Sequence, residues 1–423
     1  MSAVKQEAEP GINHFWDKTF LAIKLYRNYR LLWLGSLTEH LGEWMESAAT
    51  LWLVHQLGGT AVDLAMVGFL RLFPLVFLST IGGEVADRIN RRNLVVYALI
   101  FAASLSVILL VLVHTHKVQI WHVFALSLFN SLATAFNHPG RQTLVPNLVE
   151  RKHLMNAVTL DNATTTASRA IGVPIAGYLI YKFGVTPVFG VRAIGALLAI
   201  GWLMMIKVPM TPKVEKRQSF WKNIAEGWNY MRGNPLIMSQ VVMYFFAYFA
   251  MQASNAFMPI FAQDVLGAGP RGYGFLQAAA GFGAIAGLIA LATLGDFKRK
   301  GLYLFISGIA MTLSTALFAI SPIFILSLLL LVFSGAMNNT YMAVNATIIQ
   351  TAVDDKVRGR VMAWREIAFG MAPLSGLITG KLAHYMGPTD AIGVPRALLV
   401  MALIFTTIII ALFFLLPRVR NLD

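Results

Sequence analysis

Residues 37–47 read LTEHLGEWMES and place Glu39, Glu43 and Glu46 at spacings of four and three. On a helix these three carboxylates share one face, with His40 beside it. Buried acids close to one another hold protons more tightly than isolated ones. Such a group can load and unload a proton near neutral pH. Glu43 is the first choice as proton carrier, Glu39 the second, and Glu46 completes the face. With His40 the acids can also recognise a cationic molecule. Carboxylate and imidazole are suitable metal ligands, but one helix supplies too few for a cage, so no metal site is predicted.

The elements that carry this face follow from composition. The chain has 423 residues, is 57% hydrophobic and 13% charged. A soluble protein has about 25% charged residues. Apolar stretches of about 20 residues, each able to cross about 30 Å of hydrocarbon, recur along nearly the whole length. They are continuously apolar, which excludes the alternation of a β-barrel. The chain is therefore expected to be an all-α polytopic membrane protein with twelve transmembrane helices. These are placed at 30–54, 62–83, 93–113, 119–139, 155–181, 187–207, 235–260, 272–293, 301–320, 323–345, 360–383 and 395–416. There is no cysteine, so disulfides, thiolate metal sites and thiol catalysis are excluded. The N-terminus has no cleavable signal pattern.

Lysine and arginine set the orientation. Loops 84–92, 140–154, 208–234, 294–300 and 346–359 lie on the side of both tails, and most of the 34 basic residues lie there. The other side holds only Lys117, Lys182, Arg271, Lys381 and Arg396. Both tails are expected to be cytoplasmic. The formal charge of +14 then reads as anchoring to an anionic inner leaflet. Basic residues scattered over short loops, with no binding domain, argue against nucleic acid.

The expected organisation is a tail with an amphipathic helix at 1–29, a six-helix bundle at 30–207, a linker helix at 208–234, a second six-helix bundle at 235–416 and a tail at 417–423. In the linker, Phe220, Trp221, Ile224, Trp228 and Met231 form an apolar stripe, suited to packing under the bundle or lying at the membrane surface. Weak similarities relate the halves: VPIAGYLI (173–180) to APLSGLIT (372–379), and ADRINRRN (86–93) to GDFKRKGL (295–302), which sets Asp296 against Asp87. Such repeats place a binding site between the halves near the midplane.

At 1.5 Å per residue, Glu39 lies about 6 Å nearer the cytoplasm than Glu43, and Glu46 about 4.5 Å nearer the outside. Carboxylates facing lipid cost several kcal/mol each, so they must face the protein interior or a wet cavity. Arg71 lies at roughly the depth of Glu46 and is expected to pair with it as a gate. Asp161 and Arg365 sit at similar depths on the fifth and eleventh spans and can pair across the halves, with Glu366 adjacent. Arg169 lies deeper and can serve an anionic group on cargo or neutralise the glutamates. Arg192, near an outer end, is expected to snorkel. Asn130, Asn162, Tyr244, Tyr248, Gln252, Asn255, Asn338, Asn339 and Tyr341 are the candidate cavity lining. Amides avoid lipid, and the aromatics and methionines of the seventh span can stack on or deform around apolar cargo.

The stretch GGEVADRINRRN (82–93) resembles the signature loop between the second and third spans of the major facilitator superfamily, through Gly83, Asp87, Arg88, Arg91 and Arg92. NYRLLWLGSLTEHLGEWM and FNHPGRQTLVPNLVERKHLMNAVTLDN further resemble the drug and siderophore efflux branch that includes macrolide and enterobactin exporters. SRAIGVPIAGYLI (168–180) loosely resembles an antiporter motif through Gly172, Pro174 and Gly177. The resemblance implies the major facilitator fold with two pseudo-symmetric six-helix halves, a bacterial inner membrane location and a monomer. It also implies a gating role for Asp87 against the start of the eleventh span, with Arg88, Arg91 and Arg92 tying the loop down.

The expected function is proton-coupled efflux of an amphiphilic, potentially cationic small molecule or siderophore by alternating access. Protons would be the coupling ion, with no cofactor; membrane lipids and the small-molecule substrate would be the partners. A lipid or lysophospholipid flippase is the alternative, ahead of a metal-ion transporter or a non-transporting receptor. No Walker loop, HExxH or GxSxG motif occurs, so ATP-driven and hydrolytic chemistry are not expected.

Overall fold

The computed structural model describes residues 19–78, 90–206, 220–294, 298–420 and 422. Asp87, Arg88 and Asp296, together with residues 1–18 of the tail expected to hold an amphipathic helix, lie outside the described residues. All regular structure among the described residues is helical. A short α1 (Leu21–Leu25) precedes α2 (Arg27–Gln56), α3 (Ala61–Leu72), α4 (Arg91–His114), α5 (Ile120–Leu148), α6 (Leu154–Phe183) and α7 (Thr186–Met204). After α8 (Phe220–Gly233) come α9 (Pro235–Asn255), α10 (Met258–Ile260) and a π-helical turn, Phe261–Val265. The rest is α11 (Gly269–Leu294), α12 (Lys300–Ile320), α13 (Phe324–Ala352), α14 (Asp355–Met371), α15 (Leu374–Met386), α16 (Asp390–Leu415) and α17 (Pro417–Arg420).

Among the described residues, eight helices are long and apolar enough to cross a membrane: 61–78, α4, α7, α9, 269–293, α12, α13 and α16. α2, α5 and α6 are 30, 29 and 30 residues long, or about 45 Å at 1.5 Å per residue. Their ionisable and amide side chains lower their hydropathy, and these helices supply most of the site.

Several boundaries differ from the sequence expectation. α5 continues to Leu148 through Pro139 and Pro146, so residues 140–148 are helix and not loop. Proline is tolerated inside a membrane helix because neighbouring helices satisfy the freed backbone groups. The eleventh expected span is broken at Ala372–Pro373 into α14 and α15, and the helix of the seventh ends at Asn255, with α10 and the π-turn following it.

The helices form two packed groups. α2 packs on α6 and α7, and α4 on α5 and α7. In the second group α13 packs on α11 and α12, and α16 on α12 and α15. The groups meet along α6–α11 and α3–α15. One hydrophobic core is shared between them: Met45, Trp52 and Val173 of the first group lie with Phe257, Tyr273 and Leu398 of the second. This core sits at the end of the bundle remote from the termini. Toward the termini each group has its own core, around Tyr29, Val95 and Leu203 in one and Phe305, Tyr341 and Ile409 in the other. The groups are thus joined at the far end and have separate cores near the termini.

The far-end joint depends on glycine. A Cβ on Gly177 of α6 would lie 2.7 Å from the Pro270 carbonyl oxygen and 2.8 Å from the Gly274 Cα of α11. Polar contacts cross the same face. Tyr273 donates its hydroxyl to the Ala48 carbonyl at 3.1 Å, and the Ala61 N–H donates to Asp390 at 2.8 Å. His55 lies 3.5 Å from Asp264.

The linker helix α8 packs against α14. Trp364 donates its indole N–H to the Ile224 carbonyl at 3.1 Å, Arg360 pairs with Glu226 at 2.9 Å, and the Trp228 and Trp364 rings lie 5.2 Å apart. Of the stripe's described side chains, Met231 is buried, Ile224 is half-buried and Trp228 is exposed apart from its contact with Trp364.

Candidate functional site: a charged seam on α2

The acidic face of α2 is met by three arginines from three other helices. Glu39 is bound by Arg141 of α5, whose second nitrogen donates to Ser36. Asn137, one turn before Arg141, donates to the other Glu39 oxygen at 3.3 Å. Glu43 pairs with Arg71 of α3 at 3.0 Å. Glu46 accepts from Arg192 of α7 at 3.2 Å and from Ser106 of α4 at 2.7 Å. His40 Nδ1 lies 3.5 Å from both Glu39 and Glu43. Three carboxylates therefore face three guanidiniums, and the mutual repulsion expected of the acids alone is offset pair by pair.

Close helix approach makes this possible. A Cβ on Gly42 would lie 3.1 Å from Arg192 Cδ and 3.2 Å from its Cα, and one on Gly195 would lie 2.9 Å from the Thr38 carbonyl oxygen. Without bulk at these positions the α7 backbone runs against α2, and the Arg192 side chain extends along the acidic face. Its Nη1 also donates to the Glu39 backbone carbonyl at 3.5 Å.

Several expectations are corrected here. Arg71 pairs with Glu43 and not with Glu46. Arg192 does not snorkel: it is 2% exposed and is the partner of Glu46. Arg141 was missed, because a charge just after Pro139 reads as loop. Its spacing of four from Asn137 was the available signal that both lie on one helical face. Arg169 does not neutralise the glutamates; its guanidinium lies over the Trp44 ring, 4.9 Å from the centroid. Among the described residues Asp161 and Arg365 form no ion pair. Arg365 lies 4.2 Å from the Tyr244 ring centroid instead. Tyr341 is fully buried in the second group's own core. Arg92 donates to the Ile206 carbonyl at 3.0 Å, tying the start of α4 to the end of α7. Arg91 opens α4.

The remaining candidates divide by location. Asn130 lines a cavity of about 20 Å³ beside Glu46 and Arg71, room for about one water. Tyr244 and Tyr248 stand 5.4 Å apart, and Tyr248 meets Phe369 of α14 edge-on at 5.1 Å. Asn255 donates to Gln252 at 2.9 Å, and its carbonyl accepts from Gln277 of α11. Asn338 is buried, Asn339 bonds back to the Gly335 carbonyl, and Asn162 and Glu366 are exposed.

Ligand atoms of Glu39, His40 and Glu43 lie within 4.8 Å of one another. Both carboxylates already hold arginines, whose charge opposes a cation. The same pairing removes the free negative charge that suggested a cationic cargo.

A multi-pass, all-helical bundle in two packed groups joined at one end, with a buried seam of charge, defines a membrane transporter. The fold matches a bacterial homologue of the human lysosomal transporter Spinster in an inward-facing, unoccupied conformation, with TM-score 0.74 and 14% identity over 93% of this chain and 97% of that one. The profile of the family described as transmembrane secretion effector, one of the major facilitator families, matches residues 21–423. The chain belongs to that family and is a secondary transporter, a multi-pass bacterial membrane protein and not an enzyme. It is 21% identical over 411 residues to macrolide efflux protein A of Streptococcus pyogenes, covering 94% of this chain and 99% of the relative. It is 24% identical over 282 residues to the enterobactin exporter EntS of Shigella boydii, covering 66% and 67%.

Proposed function

We propose that the protein exports a small amphiphilic or siderophore-like molecule in exchange for protons, with Glu43 as the proton carrier. Two six-helix halves, residues 30–207 and 235–416, rock about the joint between them, with 208–234 as the linker and both termini cytoplasmic. Twelve helices span the membrane in this reading, and the monomer is the working unit. Outward transport is supported by two relatives, a macrolide efflux protein and an enterobactin exporter.

The observation that carries the proton role is exposure. The Glu43 and Arg71 side chains keep 25% and 22% of their surface, whereas Glu39 and Glu46 keep 3% and 7%. Of the three acids of the seam Glu43 is the most exposed. Protonating it cancels its charge and releases Arg71, so loading a proton changes the contact between α2 and α3. Because α3 also packs on α15 of the other half, that change bears on the joint. Proton entry down the field supplies about 2.3 kcal/mol per charge per 100 mV. Glu39 and Glu46 hold the helix face in place. Asp87 and Arg88 are assigned to the gate by resemblance alone.

The test uses purified protein in liposomes under an imposed pH gradient, with internal pH recorded as substrates are added. Substrate-evoked proton flux in the wild type, lost in folded Glu43→Gln, supports the reading. Unchanged flux in that variant would sink it.

A further inference from the structure

Two arginines outside the seam have no carboxylate partner among the described residues. Among the described residues no acid lies within ion-pair distance of Arg169 or Arg365. Arg365 is 8% exposed and its Nε is buried without a hydrogen-bond partner. Its other polar contacts with described side chains are one from Nη1 to the Met362 sulfur at 3.7 Å and one with Tyr244. Each guanidinium is instead set against an aromatic ring: Arg169 of α6 over Trp44 of α2, and Arg365 of α14 over Tyr244 of α9. The two pairs come from opposite helix groups. Tyr248, packed between Tyr244 and Phe369, lies within electrostatic reach of both arginines. Glu366 also lies within reach of Tyr244 and Tyr248 but is exposed and pairs with neither arginine.

A desolvated guanidinium inside a membrane protein is costly by several kcal/mol. A ring face returns about 2 kcal/mol and accepts none of the in-plane N–H bonds. The group that uses those bonds is a planar or bidentate anion, since the guanidinium fork matches carboxylate geometry. The flanking Trp44, Tyr244, Tyr248 and Phe369 offer apolar faces to whatever carries the charge.

We propose that Arg169 and Arg365, with Trp44, Tyr244 and Tyr248, form a cargo subsite between the two helix groups that binds anionic, aromatic or otherwise flat amphiphiles, carboxylates above all. This deepens the transport reading and rests on it, but binding at the subsite does not require proton coupling. A carboxylate bridging both arginines would draw α6 and α14 together on the side where the two groups now have separate cores.

The experiment measures equilibrium binding of 1-pyrenebutyrate to the purified protein in nanodiscs of zwitterionic lipid, by fluorescence, against the matched amine 4-(1-pyrenyl)butylamine. The wild type is expected to bind the carboxylate and to prefer it to the amine about tenfold or more, the fold-change of a lost charged hydrogen bond. Arg169→Gln and Arg365→Gln should each abolish that preference, and Arg169→Lys and Arg365→Lys should restore part of it. The lysine variants keep the test decisive should a glutamine variant fail to fold. Binding is read at equilibrium with no pH gradient, so a failure of proton coupling leaves this readout unmoved and the two failures are told apart. Equal binding of amine and carboxylate, or a preference unmoved by both substitutions, would overturn the proposal.

Discussion

Arg192 bridges two glutamates that lie two helical turns apart on α2. Its Nε donates to Glu46 at 3.2 Å and its Nη2 lies 3.7 Å from Glu39. One side chain from α7 thereby holds both ends of the acidic face, leaving Glu43 between them to Arg71. This division separates a structural pair of carboxylates from the one proposed to titrate.

Removing that bridge should unfold the first helix group before it affects cargo. Arg192→Met leaves Glu46 buried without its cation, and breaking a buried pair from one side costs about 3–5 kcal/mol. The second substitution, Glu46→Leu in the Arg192→Met background, should recover much of the loss because no charge is then stranded. Thermal unfolding in detergent reads both. A single variant as stable as the wild type would show that the bridge contributes nothing.

Closure of the far face should depend on Gly177. A Cβ at this position would press on Pro270 and Gly274 of α11 at under 3 Å, and that backbone has little room to yield. Gly177→Val is expected to hold α6 and α11 apart and to bias the protein toward an opening on that side. The chain has no cysteine, so spin labels at introduced Phe183→Cys and Phe275→Cys report the separation directly. The variant should show a longer distance and transport slowed severalfold; an unchanged distance distribution refutes the steric argument.

Closure of the same face should also respond to pH. Burial holds the Asp264 carboxyl above the ordinary aspartate value, Asp390 adds to this, and His55 opposes it. Opening exposes Asp264 and returns it toward that ordinary value, about 4, so the closed form binds the proton more tightly. The bias toward closure is full below about pH 4 and is lost as pH rises through the raised value. Label distances measured against pH should show this trend in the wild type and in His55→Gln. Asp264→Asn, neutral throughout, should flatten it. A slope that survives in Asp264→Asn assigns the effect elsewhere.

The sequence by itself determined that Glu39, Glu43 and Glu46 share a face, because 3.6-residue periodicity is a local property. It also determined that this face turns away from lipid, because solvation alone forbids the alternative. The membrane class followed from apolar length, and the family resemblance from the loop at 82–93. The partners of the acids were not legible. Depth along the axis placed Arg71 nearest Glu46, yet Arg71 reaches Glu43, since an arginine side chain spans more than the turn separating the two acids. Arg141 was hidden by Pro139, which ends a helix in water but not among packed membrane helices. Arg192 looked like an outer-end charge until Gly42 and Gly195 brought α7 against α2. Those pairings depend on how each helix is rotated and how closely its neighbour approaches. Both are decided by contacts between residues about a hundred or more positions apart in the case of Arg141 and Arg192, which no local pattern encodes.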